Sequence, residues 1–324
     1  MMSTLTPEQL SARSSVLTAT DMVKLSGLAP AYYGGPINVY ADKTGIGAIA
    51  TEMNEDIARG IFLERAARKW YAYKTSRAVE EVGVIKHKDF PLFAATPDGI
   101  SYDPAGLKTR PEEFTQLPDA RVLEIKCPRY GYDWEEGAPP PHYKIQVTMQ
   151  MLLTGIHCAE IAAIINGALM ICEVDWVPEM AESIIEIGEK FWRDHVLKRV
   201  PPDPDGSNFY AQWLAERHPQ ELHTDLLPMS EESIQWAERY RSASDAEKEA
   251  AASKMEARNN LVALIGDHAG IEGGDGRPLV TYRKCKDSQN IDYRGVVDEL
   301  NPDAAVVARH IKVKTGHRSI KVYT

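Results

Sequence analysis

Apolar and polar positions alternate along the chain with a period that switches between helical and strand-like. Over 14–28, SSVLTATDMVKLSGL, the pattern predicts a short helix capped by Thr18 or Thr20 and closed at Gly27. The turn APAYYGGP follows. A helical pattern then runs from about Ala48 to Lys74, with Met53, Ile57 and Ile61 on one stripe. Glu64 falls in the same register, an acid on an apolar face. VEEVGVIKH (79–87), PLFAATPDGIS (91–101) and RVLEIKCP (121–128) predict strands. After the loop DWEEGAPPPH, YKIQVTMQMLLTG (143–155) predicts a helix ended by Gly155. EIAAIINGALMICEVDW (160–176) places two apolar runs around Asn166-Gly167, a hairpin signal. VPEMAESIIEIGEKFWRDHVLKR (177–199) predicts a further helix.

The run VPPDPDGSN (200–208) punctuates the pattern and marks a domain boundary, separating 1–205 from 206–324. Residues 230–268, rich in Ala, Glu, Lys and Arg, predict one long helix or a helical hairpin, broken by GIEGGDGRP (270–278). Charge changes the picture here. The chain carries a formal net charge of −10, yet 277–324 holds ten Lys and Arg against five Asp and Glu. That segment is either a contact surface or a solvated basic face. A net acidic protein can still hold DNA where its basic groups gather in one channel.

An apolar content of 44% and a charged content of 26% fit a soluble globular protein. The first residues contain no apolar signal core, and the longest apolar stretch, IAAIINGALMIC (161–172), is too short to span a bilayer. A cytoplasmic location without membrane contact is expected. Cys127, Cys158, Cys172 and Cys285 show neither CxxC spacing nor a His cluster, so buried reduced thiols are expected rather than zinc ligands or disulfides.

The stretch LEIKCP carries the chemistry. In a strand, Leu123, Ile125 and Cys127 face one way while Glu124 and Lys126 face the other. An acid and a base on one face of a short apolar strand are costly to bury unless they are paired or bind something. Upstream, TPDG (96–99) puts Asp98 at a turn, about 25 residues before Glu124-x-Lys126. That spacing is similar to the PD-(D/E)XK nucleases. Mg²⁺ takes oxygen ligands, typically one or two carboxylates completed by water and substrate phosphate. Asp98 and Glu124 can supply the carboxylates, and Lys126 can orient or deprotonate a water or neutralise charge on the phosphate. A salt-bridged surface pair explains the same motif without chemistry. Tyr143, Gln146 and Gln150 share one face of the following helix, where Gln146 can position water or phosphate and Gln150 reads as an ordinary polar helix position.

TPDG, LEIKCP and YKIQVTMQM, in this order, resemble the lambda exonuclease/YqaJ-like viral recombinase nucleases. RGIFLE (59–64) resembles the segment with that family's upstream acid, and RSSVLTATDMVKLSGL with VYADKTG resembles its opening region. The similarity runs over about residues 10–205 and is looser over RPLVTYRKCKDSQNIDYRGVVDEL and GHRSIKV. It implies an α/β fold with a restriction-endonuclease-like core, a mixed central sheet flanked by helices, and a C-terminal α+β accessory segment. It implies that Asp98, Glu124 and the Ile125 carbonyl hold metal, with Glu64 a direct or water-mediated ligand, Lys126 handling the nucleophilic water and Gln146 orienting it. Two Mg²⁺ ions are implied, with Mn²⁺ as a substitute.

The same resemblance implies a 5′-phosphate pocket. Arg13 matches an early Arg, Thr20 stands where Ser is usual, and Thr96 occupies the slot before Pro97-Asp98. Both threonines keep a hydroxyl donor. Tyr132 stands where a later Arg is expected, and Arg129 is the nearest substitute. The implied activity is 5′-to-3′ digestion of linear duplex DNA to mononucleotides, by a toroidal homotrimer working with a phage single-strand annealing protein in a bacterial host. Two other readings stay open: an endonuclease on the same core, and a non-catalytic DNA-binding protein.

Overall fold

A computed structural model describes residues 14–46, 53–135, 138–287 and 292–311. The chain divides into two compact units between His218 and Pro219. The boundary expected after residue 205 lies ahead of this division, and one helix accounts for the difference. Asn208–Arg217 buries Tyr210 and Trp213, with Trp213 edge-on to Tyr40 at 6.4 Å and its indole N–H donating to Ile46 O at 3.2 Å. It is part of the first unit.

The first unit runs β1 (Leu17–Thr18), α1 (Ala19–Leu25), α2 (Pro36–Thr44), α3 (Glu55–Thr75), β2 (Ala78–Glu80), β3 (Ile85–His87), β4 (Phe90–Ala95) and β5 (Gly99–Tyr102). It continues with β6 (Arg121–Lys126), α4 (Pro141–Thr154), β7 (Cys158–Ile165), β8 (Ala168–Asp175), α5 (Pro178–Phe191) and α6 (Asn208–Arg217). A five-stranded sheet has the order β2-β5-β6-β7-β8, and a smaller sheet the order β1-β4-β3. In the larger sheet β6 and β7 are parallel and the other neighbours antiparallel, so the sheet is mixed. A parallel pair needs a long crossover, and α4 provides it.

Strand β6 sorts its side chains as the alternation predicts. Leu123 and Ile125 pack with Ala67 and Tyr71 of α3 on one face of the sheet. Val122 packs with Tyr143, Val147 and Met151 of α4 on the other. Helix α4 also buries Ile145, Met149 and Leu153 against the β1–α1 region and α5, so it is enclosed on all sides. The result is a mixed sheet flanked by helices, the arrangement that the sequence resemblance implies.

Local signals explain the ends. Thr18 caps α1 in a reciprocal capping box with Asp21, and Gly155 closes α4 at φ 72°. Asn166 and Gly167 both take positive φ, which lets Ile165 pair with Ala168 across a two-residue hairpin. The segment 79–87 forms two strands rather than one, because β2 joins the larger sheet and β3 the smaller. Segment 91–101 divides the same way at Thr96–Asp98. Gly99 permits the return, since a Cβ there would lie 2.7 Å from Val79 Cγ1.

Helix α3 departs from the predicted stripe. Met53 and Ile61 are 51% and 47% exposed, and Ala67 and Tyr71 supply the buried contacts. Glu64 aligns with that pair in helical register but is only half-buried.

In the second unit α7 (Glu231–Ile265) is a single 35-residue helix capped by Ser230, not a hairpin. A short antiparallel pair, β9 (Gly270–Glu272) and β10 (Pro278–Thr281), and helices α8 (Tyr293–Leu300) and α9 (Ala304–His310) follow. GHRSIKV lies outside the described residues. The cysteines are free, and Cys172 is buried, but Cys127 and Cys158 are half-buried and Cys285 is exposed, so the expectation of uniformly buried thiols does not hold. Among the described residues no helix is long and apolar enough to cross a membrane.

Candidate active site

Three chain segments meet at the end of β6. Pro97-Asp98 turns the chain from β4 into β5, β6 presents Glu124 and Lys126, and α4 lays Tyr143, Gln146 and Gln150 across them. Asp98 Oδ2 accepts from the Ile125 N–H at 2.7 Å. Strand β5 pairs with β6 only as far as Leu123, so Asp98 takes the place that a partner strand would hold. In an extended strand the N–H and C=O of one residue point to the same side. The Ile125 carbonyl therefore points to the same open edge as Asp98.

Glu124 is buried and held through both carboxylate oxygens. Its Oε1 accepts from Lys126 Nζ at 2.5 Å and from Gln146 Nε2 at 2.6 Å, and its Oε2 accepts from Gln150 Nε2 at 2.7 Å. Lys126 also donates to Gln146 Oε1 at 2.9 Å and sits 4.7 Å from the centre of the Tyr143 ring. This ring in turn meets Tyr33 edge-on, with ring centres 6.5 Å apart.

The electrostatics follow from crowding. Burial first, then the Glu124 charge, pushes the Asp98 carboxyl well above its ordinary pKa, with Lys126 and the Ile125 N–H opposing. Burial alone depresses the Lys126 pKa, but the charges of Glu124, Tyr33 and Asp98 more than offset it and raise it. Lys126 rests as an ammonium. With Asp98 ionised, two carboxylates against one ammonium leave the cluster net negative, and its outward donors are hard oxygens. That donor set suits Mg²⁺ or Mn²⁺.

Glu64 stands apart from this set. Its carboxylate pairs with Arg68 at 2.5 Å, and Arg68 also meets Glu81. Its charge still acts on Asp98, more weakly than that of Glu124. Among the described residues no group of three or more acids, histidines or cysteines is arranged to hold a metal. Of the phosphate-pocket residues, Arg13 lies outside the described residues, and Thr20, Thr96 and Arg129 are exposed. Strands β1 and β4 run parallel with Thr18 opposite Ala94, so Thr20 and Thr96 lie toward the same end of that pair.

Two participants escape the sequence reading. Gln150 reads as a plain polar helix position but is buried against Glu124. Tyr33, in the loop before α2, has no local signal; its part depends on the fold bringing it to Tyr143.

Residues 8–157 match the family model described as YqaJ-like viral recombinase domain. The matched segment spans just under half of this chain. It includes Glu64, Asp98, Glu124, Lys126, Gln146 and Gln150, and it ends at the start of β7. The R354 protein of Acanthamoeba polyphaga mimivirus is 30% identical over 152 residues, 45% of this chain and 26% of that protein. The YqaJ protein of Bacillus subtilis strain 168 is 23% identical over 209 residues, 62% of this chain and 61% of that protein. The chain thus spans about a quarter of one relative and three-fifths of the other. The alkaline exonuclease LHK-Exo of Laribacter hongkongensis has 21% identity and a TM-score of 0.45, covering 65% of this chain and 99% of that one. A phage related exonuclease of Haemophilus somnus 129PT has 11% identity and a TM-score of 0.41, covering 59% and 99%.

Proposed function

We propose that this chain is a Mg²⁺-dependent DNA exonuclease that digests the 5′-phosphorylated strand of linear duplex DNA to mononucleotides and leaves 3′ tails for single-strand annealing. The observation that carries this reading is the buried Glu124–Lys126 pair locked by Gln146 beside Asp98, within the segment that matches the YqaJ-like model. Asp98, Glu124 and the Ile125 carbonyl would hold the cation, with Glu64 joining through water when it leaves Arg68. Two such ions would stabilise the attacking and leaving oxygens of an in-line phosphodiester displacement, and Mn²⁺ would substitute.

The protein's own groups divide the remaining work. Lys126 donates, since its ammonium is held charged; it orients the attacking water and balances charge on the phosphate. Gln146 fixes the Lys126 ammonium and the Glu124 carboxylate relative to each other. Arg13, Thr20, Thr96 and Arg129 would grip the terminal 5′-phosphate. The assembly would be a homotrimeric ring around linear duplex DNA, partnered by a phage single-strand annealing protein in the cytoplasm of a bacterial host.

The test is nucleotide release from linear duplexes ending in 5′-phosphate or 5′-hydroxyl, with a covalently closed circle alongside and Mg²⁺ or EDTA present. Mononucleotides from the phosphorylated linear DNA, with the circle intact and EDTA blocking release, support the reading. Cutting of the circle would make the chain an endonuclease. Binding without cleavage would make it a DNA-binding protein on this fold. Thr20→Val with Thr96→Val should erase the 5′-phosphate preference, and an unchanged preference would remove both from the pocket.

A further inference from the structure

The loop that follows β6 is built unlike an ordinary surface connection. It opens Arg129-Tyr130-Gly131-Tyr132-Asp133-Trp134, and two of these residues fasten it to the core. Gly131 lies against the end of β7, where a Cβ would be 2.4 Å from Ile165 Cγ2. Trp134 packs on Tyr143 with ring centres 5.6 Å apart, the same Tyr143 whose ring faces Lys126. A turn with Trp134 N–H donating to Gly131 O at 3.2 Å joins the anchors.

On either side of Gly131 the loop turns its other aromatics outward. Tyr130 and Tyr132 are 55% and 87% exposed, and their rings stack 5.3 Å apart at 20°. The guanidinium of Arg129 lies 5.3 Å from the centre of the Tyr130 ring. An isolated exposed tyrosine needs no explanation, but two stacked rings on a fastened loop, with a cation over the Tyr130 ring and the Tyr132 face open, form an apolar plate that water solvates poorly. The plate begins four residues after Lys126, within about 14 Å of chain even if fully extended. Flat aromatic faces beside a cation fit nucleobases: every base has a π-face, and the cation meets the adjoining phosphate.

We infer that Tyr130 and Tyr132 form a stacking platform for a nucleobase of an opened DNA end, holding it beside the Asp98–Glu124–Lys126 cluster. This positioning role rests on the nuclease reading for its purpose but not for its detection.

The experiment uses the full chain with metal withheld by EDTA and a 5′-phosphorylated duplex carrying 2-aminopurine near its 5′ end. The parent protein and a Tyr130→Phe/Tyr132→Phe variant should quench the probe and bind alike, because phenylalanine keeps the stacking face. Tyr130→Ala/Tyr132→Ala should lose the quench and bind about tenfold or more weakly. Both tyrosines are exposed, so the variants should melt with the parent. A double alanine variant that quenches and binds like the parent would overturn the platform. So would a Phe variant as defective as the Ala one, which would make the hydroxyls, and not the rings, the contact. Digestion is measured separately in Mg²⁺. A chain that stacks the base but cuts nothing keeps the platform and loses the nuclease. A chain that cuts equally well with both alanines, and quenches equally, keeps the nuclease and loses the platform.

Discussion

The amide nitrogen of Gln150 lies 2.7 Å from Glu124 Oε2, and both side chains are buried. No other hydrogen bond reaches that oxygen among the described residues, and the Gln150 side-chain oxygen Oε1 has no partner there. Gln150 therefore serves Glu124 and nothing else. Removing a partner that orients a ligating carboxylate costs about 10–100-fold in metal affinity or activity. Gln150→Met, which keeps the volume, should raise the Mg²⁺ concentration needed for half-maximal digestion by about that factor. A metal titration superimposable on the parent's would show that Gln146 alone fixes the carboxylate.

Lys126 and Glu124 form a buried pair, so removing the lysine has two separable consequences. Lys126→Ala should abolish digestion while DNA binding persists, because the positive charge beside the phosphate is lost. It should also destabilise the metal-free protein by about 3–5 kcal/mol, since Glu124 keeps a charge without its cation. Mg²⁺ should return part of that loss by supplying a cation in its place. Thermal melts with EDTA and with Mg²⁺ read the second effect, and retained turnover would remove Lys126 from the chemistry.

Asp98 makes the site sensitive to pH. Its folded carboxyl is raised by burial and then by Glu124, so the folded state holds the proton more tightly than the unfolded chain. The sign follows: stability falls as pH rises from the ordinary carboxylate value, about 4, through the raised folded one. Metal binding needs the ionised form and should release the proton. In EDTA, the difference in melting temperature between Asp98→Asn and the parent should therefore widen in favour of Asn as pH rises from about 4 to about 7. Mg²⁺ should reverse that order at neutral pH. Parallel melting curves for the two proteins across the range would contradict the shift.

The site was legible in sequence where local geometry governs it. Alternation along LEIKCP put Glu124 and Lys126 on one face, and Asn166-Gly167 marked the hairpin beside them, because both depend only on neighbouring residues. The rest depends on tertiary placement. Helix α3 has candidate stripes on more than one side, and only the sheet selects Ala67 and Tyr71 over Ile61. Gln150 differs from a solvated glutamine only by what covers it. The chain's passage between two sheets at 81–84 and 96–98 rests on Gly99 meeting Val79, a contact that no local pattern encodes.

Tyr71 gives the last prediction, on stability. Its hydroxyl bridges Ser101 Oγ at 2.9 Å and the Glu160 carboxylate, and Arg121 approaches the same carboxylate at 3.0 Å. Arg77 continues the network from Ser101 to Asp119. Burial first, then the bond to Glu160, raises the Tyr71 pKa, so the phenol stays protonated and keeps donating across the neutral range. The network fastens α3 to β5 and β7, and with it the turn of helix that carries Glu64. Tyr71→Phe keeps the ring in the core but strips Glu160 of one donor, which should cost about 1.5–3 kcal/mol, the range for hydrogen bonds to charged groups. Glu160→Gln keeps the geometry and removes the charge, leaving Arg121 with Asp119 and Glu173 as its acid partners. It should cost less than Tyr71→Phe. Urea denaturation of the two variants decides it: equal midpoints with the parent would show the network to be surplus to α3's packing on Leu123 and Leu169.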